Sequence, residues 1–263
     1  MAGDAVLLKA TQAGVATITL NRPALHNAFD AEVIESLSEI LEDLAGADGV
    51  RVVMLTAVGK SFSAGADLNW MKQAASFTEE ENREDARAMG EMLRRFNRLP
   101  KPIVALVQGS AFGGGVGLMA VCDIVVAVRD AAFSLSEVKL GLIPATIAPY
   151  VVAAIGERQA RRYFLTGERF GAEQARALGL VHEVVADGAA LIAAGEHIVE
   201  RLFAAAPGAL AEAKDLVAAV AGKPIDGHLI EDTARRIAER RGHDEAREGI
   251  AAFLEKRKPD WHG

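Results

Sequence analysis

The chain has 263 residues, 51% hydrophobic and 25% charged. That is enough for one large core or two small domains, and too apolar for a disordered chain. With 29 basic against 36 acidic residues the net charge is −7, which argues against a nucleic-acid surface, since that needs a basic patch. Its single cysteine, Cys122, cannot form an intrachain disulfide, and Met1 to Ala10 show no basic segment leading into an apolar run. A cytoplasmic protein is expected.

Val15 to Leu20 is short and rich in β-branched residues, and reads as a strand ending at Asn21-Arg22-Pro23. Asp30 is a suitable N-cap for a helix with Val33, Ile34, Leu37, Ile40, Leu41 and Leu44 on one face. Val50 to Thr56 is a nearly continuous apolar run, as expected of a strand covered on both faces. A glycine-bearing loop follows from Ala57 to Asn69. Thr78 and Glu81 form a capping box for a helix whose face carries Met89, Met92, Leu93 and Phe96, with Pro100 and Pro102 as its stop. Ile103 to Val107 predicts a buried strand, Val116 to Val121 a helix and Asp123 to Val128 another strand.

This alternation predicts βαβ crossovers and a largely parallel sheet. After Ser136 strand-like runs nearly vanish and alanine-rich helical segments reach Lys258. The expected organisation is an α/β core over residues 1–190 with a C-terminal helical region over 191–263. Pro102 to Cys122 carries no charge, but five glycines, Gln108 and Ser110 interrupt it, so no membrane span is expected.

Several chemistries fail on spacing. Gly59-Lys60-Ser61 lacks the first glycine of a phosphate-binding loop, which would fall at Met54. There is no Gly-x-Ser-x-Gly nucleophile elbow. The six histidines are scattered, so no metal site is expected. Gly115-Val116-Gly117-Leu118-Met119-Ala120 matches a dinucleotide fingerprint, but seven residues separate it from the preceding strand where a tight turn is required. Two glycine loops remain, Ser63 to Leu68 and Ala111 to Gly117. Their unshielded N–H groups suit an oxyanion hole for a carbonyl that gains negative charge, such as a thioester becoming an enolate.

Asn21-Arg22-Pro23, Asn27-Ala28, Phe62 to Leu68, Lys101-Pro102, Gly113-Gly114-Gly115 and Cys122-Asp123 resemble the crotonase, or enoyl-CoA hydratase/isomerase, superfamily. So do Ser136-Glu137, Gly141 to Pro144, Leu165 to Gly167, Ala177 to Val181, Glu248-Gly249 and Phe253 to Arg257. Within it, Ser63 to Lys72 and Leu135 to Ala145 look most similar to bacterial methylglutaconyl-CoA hydratases of leucine breakdown.

The resemblance implies an α/β fold, a crotonase-like ββα spiral core with a C-terminal helical trimerisation region, assembled as a homotrimer or hexamer. It implies an acyl-CoA thioester as substrate, with no separate cofactor. It assigns the oxyanion-hole amides to Ala66 and Gly114 and acid–base chemistry to Glu137. It places the CoA ester on Arg22, Ala24, His26, Ala28, Ala64, Asp67, Leu68, Phe253 and Lys256.

Three departures stand out. Hydratases of this kind carry a second glutamate two residues after the glycine triplet, where this chain has Gly117. The family often runs Gly-x-Gly-Gly after Pro144, where this chain has Ala145-Thr146-Ile147-Ala148. Lysines that meet the CoA phosphates are replaced by Ala24 and Asn69, with Arg22, Lys72, Arg257 and Lys258 as expected substitutes. Gly117 leaves three readings open: a hydratase, an isomerase working with Glu137 alone, and an acyl-CoA binder of low activity. Tyr150, Ser110, Lys72 and Arg94 are candidates for the acyl pocket.

Overall fold

The computed structural model describes residues 5–11 and 13–262. Its plan is a long strand, a short strand and then helix, repeated three times. The long strands are β3 (Val52–Ala57), β5 (Ile103–Val107) and β7 (Ile124–Val128). Each is followed by a three-residue strand: β4 (Ser61–Ser63), β6 (Ser110–Phe112) and β8 (Ala132–Ser134). The helices closing the three turns are α2 (Leu68–Ala74) with α3 (Glu79–Arg98), α4 (Gly114–Ala120) and α5 (Ala148–Thr166).

Long strands join one six-stranded sheet, with β1 (Val6–Ala10) and β2 (Val15–Leu20) on one side and β10 (Glu183–Val185) on the other. The order is β1-β2-β3-β5-β7-β10, all parallel except the β1–β2 hairpin. Short strands join a second sheet, β4-β6-β8-β9, with β9 at Phe170–Gly171. This is a ββα spiral, and it puts the three β-to-helix loops on one side of the small sheet.

The expected first-half elements appear with small shifts at their ends. β2 and β5 span the expected residues. All of β5 is buried, as helices on both faces of a parallel sheet require. Asp30 caps α1 (Ala31–Gly46) through Val33 N–H. The Thr78–Glu81 capping box starts α3, and Met89, Met92, Leu93 and Phe96 are buried on its inner face. Cys122 is a buried core residue whose thiol burial pushes far from ionisation. Lys101, half-buried before β5, donates to the Leu44 and Ala47 carbonyls and closes the end of α1.

Beyond β9 come α6 (Ala172–Leu178), α7 (Gly188–Phe203), α8 (Pro207–Val220), α9 (Gly227–Arg241) and α10 (Asp244–Glu255). The boundary expected after residue 190 falls inside α7, which packs on β3, β5 and β7. In contrast, α8 and α9 bury no residue. They are joined by ion pairs of Arg236 with Asp215 and Arg240 with Glu212. Arg51 fastens the C-terminal segment. Its guanidinium lies 4.4 Å from the Phe203 ring centroid and donates to the carbonyls of Phe203, Ala205 and Trp261. No helix among the described residues is long and apolar enough to cross a membrane.

Candidate active site

The first wall is a clasp between residues 22–30 and 58–67. Asn27, buried with a left-handed backbone, accepts from Arg22 N–H and donates to the Val58 and Ser61 carbonyls. Ser63 donates to the Asn27 carbonyl, and Ala64 N–H to that of His26. Phe29 and Ala66 then form a parallel bridge, in which Phe29 N–H bonds Gly65 O and Asp67 N–H bonds Phe29 O, both at 2.7 Å. In a parallel bridge the residues flanking Ala66 make both bonds, so the Ala66 N–H points to the opposite side. Asp67 goes on to cap α2 through Asn69 and Trp70 N–H.

The second wall is the glycine triplet. Gly113 N–H bonds Ser134 O, and its carbonyl accepts from Val116 and Gly117. Gly114 opens α4, where a first-turn N–H has no acceptor within the helix. The loops abut: a β-carbon at Gly65 (φ +85°) would lie 3.5 Å from Gly114 N and 2.8 Å from Phe112 O. Glycine is required there, and the two expected amides stand on neighbouring loops.

Glu137 begins a single 3-10 turn after β8. Its Oε1 lies 2.9 Å from the position a β-carbon would take at Gly113, so the carboxylate rests on the triplet. Its Oε2 is buried with no hydrogen-bond partner in the structure. Burial raises the Glu137 pKa above the ordinary carboxylate value, opposed by its own backbone N–H. A carboxyl group with one oxygen buried against the glycine loop is equipped to exchange protons with a molecule held there.

Gly117 supplies no second carboxylate. A β-carbon there would lie 2.1 Å from Ile147 Cγ2. Gly115 and Gly117 are buried inside the protein, and a β-carbon on Gly115 would meet Ser63 O at 2.6 Å. These glycines serve packing, which sets the dinucleotide reading aside.

Of the expected CoA residues, the clasp brings Arg22, His26, Ala28, Ala64 and Asp67 together, with exposed Ala24 and Leu68 beside them. Arg22 is tied inward, to Asp30 at 2.5 Å, Asp67 at 3.8 Å and the Ala28 carbonyl. Arg257 is likewise held by Glu248 and Glu255. Neither is a free replacement for the missing lysines. Lys72 and Lys258 are exposed. Phe253 and Lys256 are exposed on and just after α10, and no hydrogen bond or ion pair joins them to the clasp among the described residues. Sequence reasoning gave no role to Ser63 or to the Asn27 side chain, although Asn27 lay within a recognised block. It also missed that Ile147 fills the space beside Gly117.

The sequence profile of the enoyl-CoA hydratase/isomerase family matches residues 10–263. The chain belongs to this family. An enoyl-CoA hydratase from Shewanella pealeana has the same fold at a TM-score of 0.94, with 41% identity over 98% of this chain and 96% of that one. Pseudomonas aeruginosa AtuE gives 0.94 and 40%, over 98% and 100% of the two chains. The 2,3-dehydroadipyl-CoA hydratase of Escherichia coli is 34% identical over 98% of each. The enzyme is thus a crotonase-fold member of a family that contains both hydratases and isomerases.

Proposed function

We propose that this enzyme adds water to a 2-enoyl-CoA, with methylglutaconyl-CoA as its substrate. The observation that carries the reading is the Glu137 carboxylate, its Oε2 buried without a hydrogen-bond partner, lying against the loop that presents the Gly114 amide. In the proposed reaction the thioester oxygen sits between the Ala66 and Gly114 N–H groups. Glu137 removes a proton from water as the oxygen bonds to Cβ, and electron density moves to the thioester as an enolate. The same carboxyl group then returns the proton to Cα. One carboxylate suffices because it gains and loses one proton per turnover.

One comparison supports an acyl group with a distal carboxylate. The relative from Escherichia coli is named for a dehydroadipyl thioester, itself derived from a dicarboxylic acid. Assembly as a trimer or hexamer belongs to the same proposal. The C-terminal helices leave Val217, Ile230, Ile237, Ile250, Phe253 and Leu254 exposed, as an unfilled subunit interface would.

The isomerase reading rests on the same lone carboxylate, since one group can move a proton between two carbons. Incubation with methylglutaconyl-CoA, and separately with a 3-enoyl-CoA, decides between them by product mass. Gain of one water on the first substrate is expected. An unchanged mass with a shifted double bond on the second, and no hydration of the first, would replace the hydratase reading with the isomerase.

A further inference from the structure

We propose that Ile147 is the residue that holds this site to a single carboxylate: its side chain occupies the space that any side chain at position 117 requires. The consequence for catalysis rests on the hydratase reading above; the packing does not.

Gly113 is the residue before α4, and its carbonyl accepts from Gly117 N–H, so the two glycines are one hydrogen-bonded turn apart. Glu137 covers the first and Ile147 the second. Ile147 therefore fills the space into which a side chain at position 117 would project.

The overlap is set by backbone and not by rotamer. A β-carbon at 117 would lie 2.1 Å from Ile147 Cγ2 and 2.6 Å from Ile147 Cβ. Rotation about χ1 moves Cγ2 and leaves Cβ in place. Both backbones are fixed. Gly117 N–H bonds Gly113 O and its carbonyl accepts from Val121, while the Ile147 carbonyl accepts from Tyr150 and Val151 at the head of α5. Ile147 is only 2% exposed, so it has no solvent-side space to enter. Gly117 and the isoleucine in the loop after Pro144, two separate departures in the sequence, are thus one compensated exchange. With these backbones in place, position 117 can carry a side chain only if residue 147 is glycine.

A thermal double-mutant cycle tests the packing without reference to activity. Gly117→Ala is expected to lower Tm by about 5 °C in the parent, from overpacking, and by much less beside Ile147→Gly, which removes the β-carbon as well. Equal losses in both backgrounds would overturn the proposal. Catalysis is read on a 2-enoyl-CoA in the background Glu137→Gln. Adding Gly117→Glu with Ile147→Gly should raise the residual hydration rate at least about tenfold, as a second general acid–base group can. Gly117→Glu alone should lose the fold or give no such gain. A folded Gly117→Glu protein that recovers hydration equally well with Ile147 in place would also overturn the proposal. If the parent does not hydrate but Gly117→Glu/Ile147→Gly does, the hydratase reading fails and the role of Ile147 stands.

Discussion

The Glu137 carboxylate rests on Gly113, with Oε1 2.9 Å from the position of a β-carbon that the glycine lacks. The general acid–base group and the glycine loop are thereby in register, because no side chain separates them. Gly113 also has φ +48°, a conformation that L side chains rarely adopt. Gly113→Ala is expected to displace the carboxylate and strain the loop. Turnover should fall at least about tenfold with CoA-ester affinity little changed, measured by steady-state kinetics beside equilibrium binding.

The pH dependence follows from the raised Glu137 pKa. A base must be ionised, so kcat/KM should decline on the acid side through an apparent pKa above the ordinary carboxylate range. Stability has the opposite sense. The folded chain holds this proton to higher pH than the unfolded chain, so the associated stability is full below the unfolded value and is lost as pH rises through the folded one. At neutral pH the ionised carboxylate, with Oε2 buried and unpartnered, is a burden. Glu137→Gln should therefore raise Tm at pH 7, and the gain should shrink below the ordinary carboxylate range. Melting curves across pH check both signs.

Gly65 tests the oxyanion hole. An alanine there takes on a φ of +85° and puts its β-carbon 2.8 Å from Phe112 O, forcing the Ala66 and Gly114 loops apart. Loss of one oxyanion donor costs roughly 100-fold in turnover, and Gly65→Ala is expected to lose at least that much.

Arg51 tests the C-terminal fastening. Arg51→Met keeps much of the stem over Phe203 but drops the bonds to Phe203, Ala205 and Trp261. A loss of about 1–3 kcal/mol is expected from the lost charge-assisted bonds to part-buried carbonyls, seen in denaturant unfolding.

The strands β2, β3, β5 and β7 and the helices α1, α3 and α4 were legible from their apolar patterns, as β5 and the Met89–Phe96 face of α3 show. In contrast, β1 and α2 were not read, α2 beginning inside the expected Ala57–Asn69 loop. The strands β4, β6 and β8 were not, since three residues such as Ser61-Phe62-Ser63 hold no period to read. At the site, the absence of a glutamate at Gly117 was visible as a departure. Its physical partner was not, because Ile147 lies thirty residues on and meets Gly117 only through the packing of α4 on α5. The inward pairing of Arg22 was equally hidden: Asp30 and Asp67 approach it only once the clasp around Asn27 closes.

The most direct measurement compares hydration of a 2-enoyl-CoA by the parent and by Glu137→Gln, with CoA-ester binding followed on the same preparations. Glu137→Gln keeps the shape of the side chain but cannot take a proton, so kcat should fall at least about 100-fold while binding persists. A Glu137→Gln protein that hydrates its substrate at the parent's rate would contradict the assignment of Glu137 as the acid–base group.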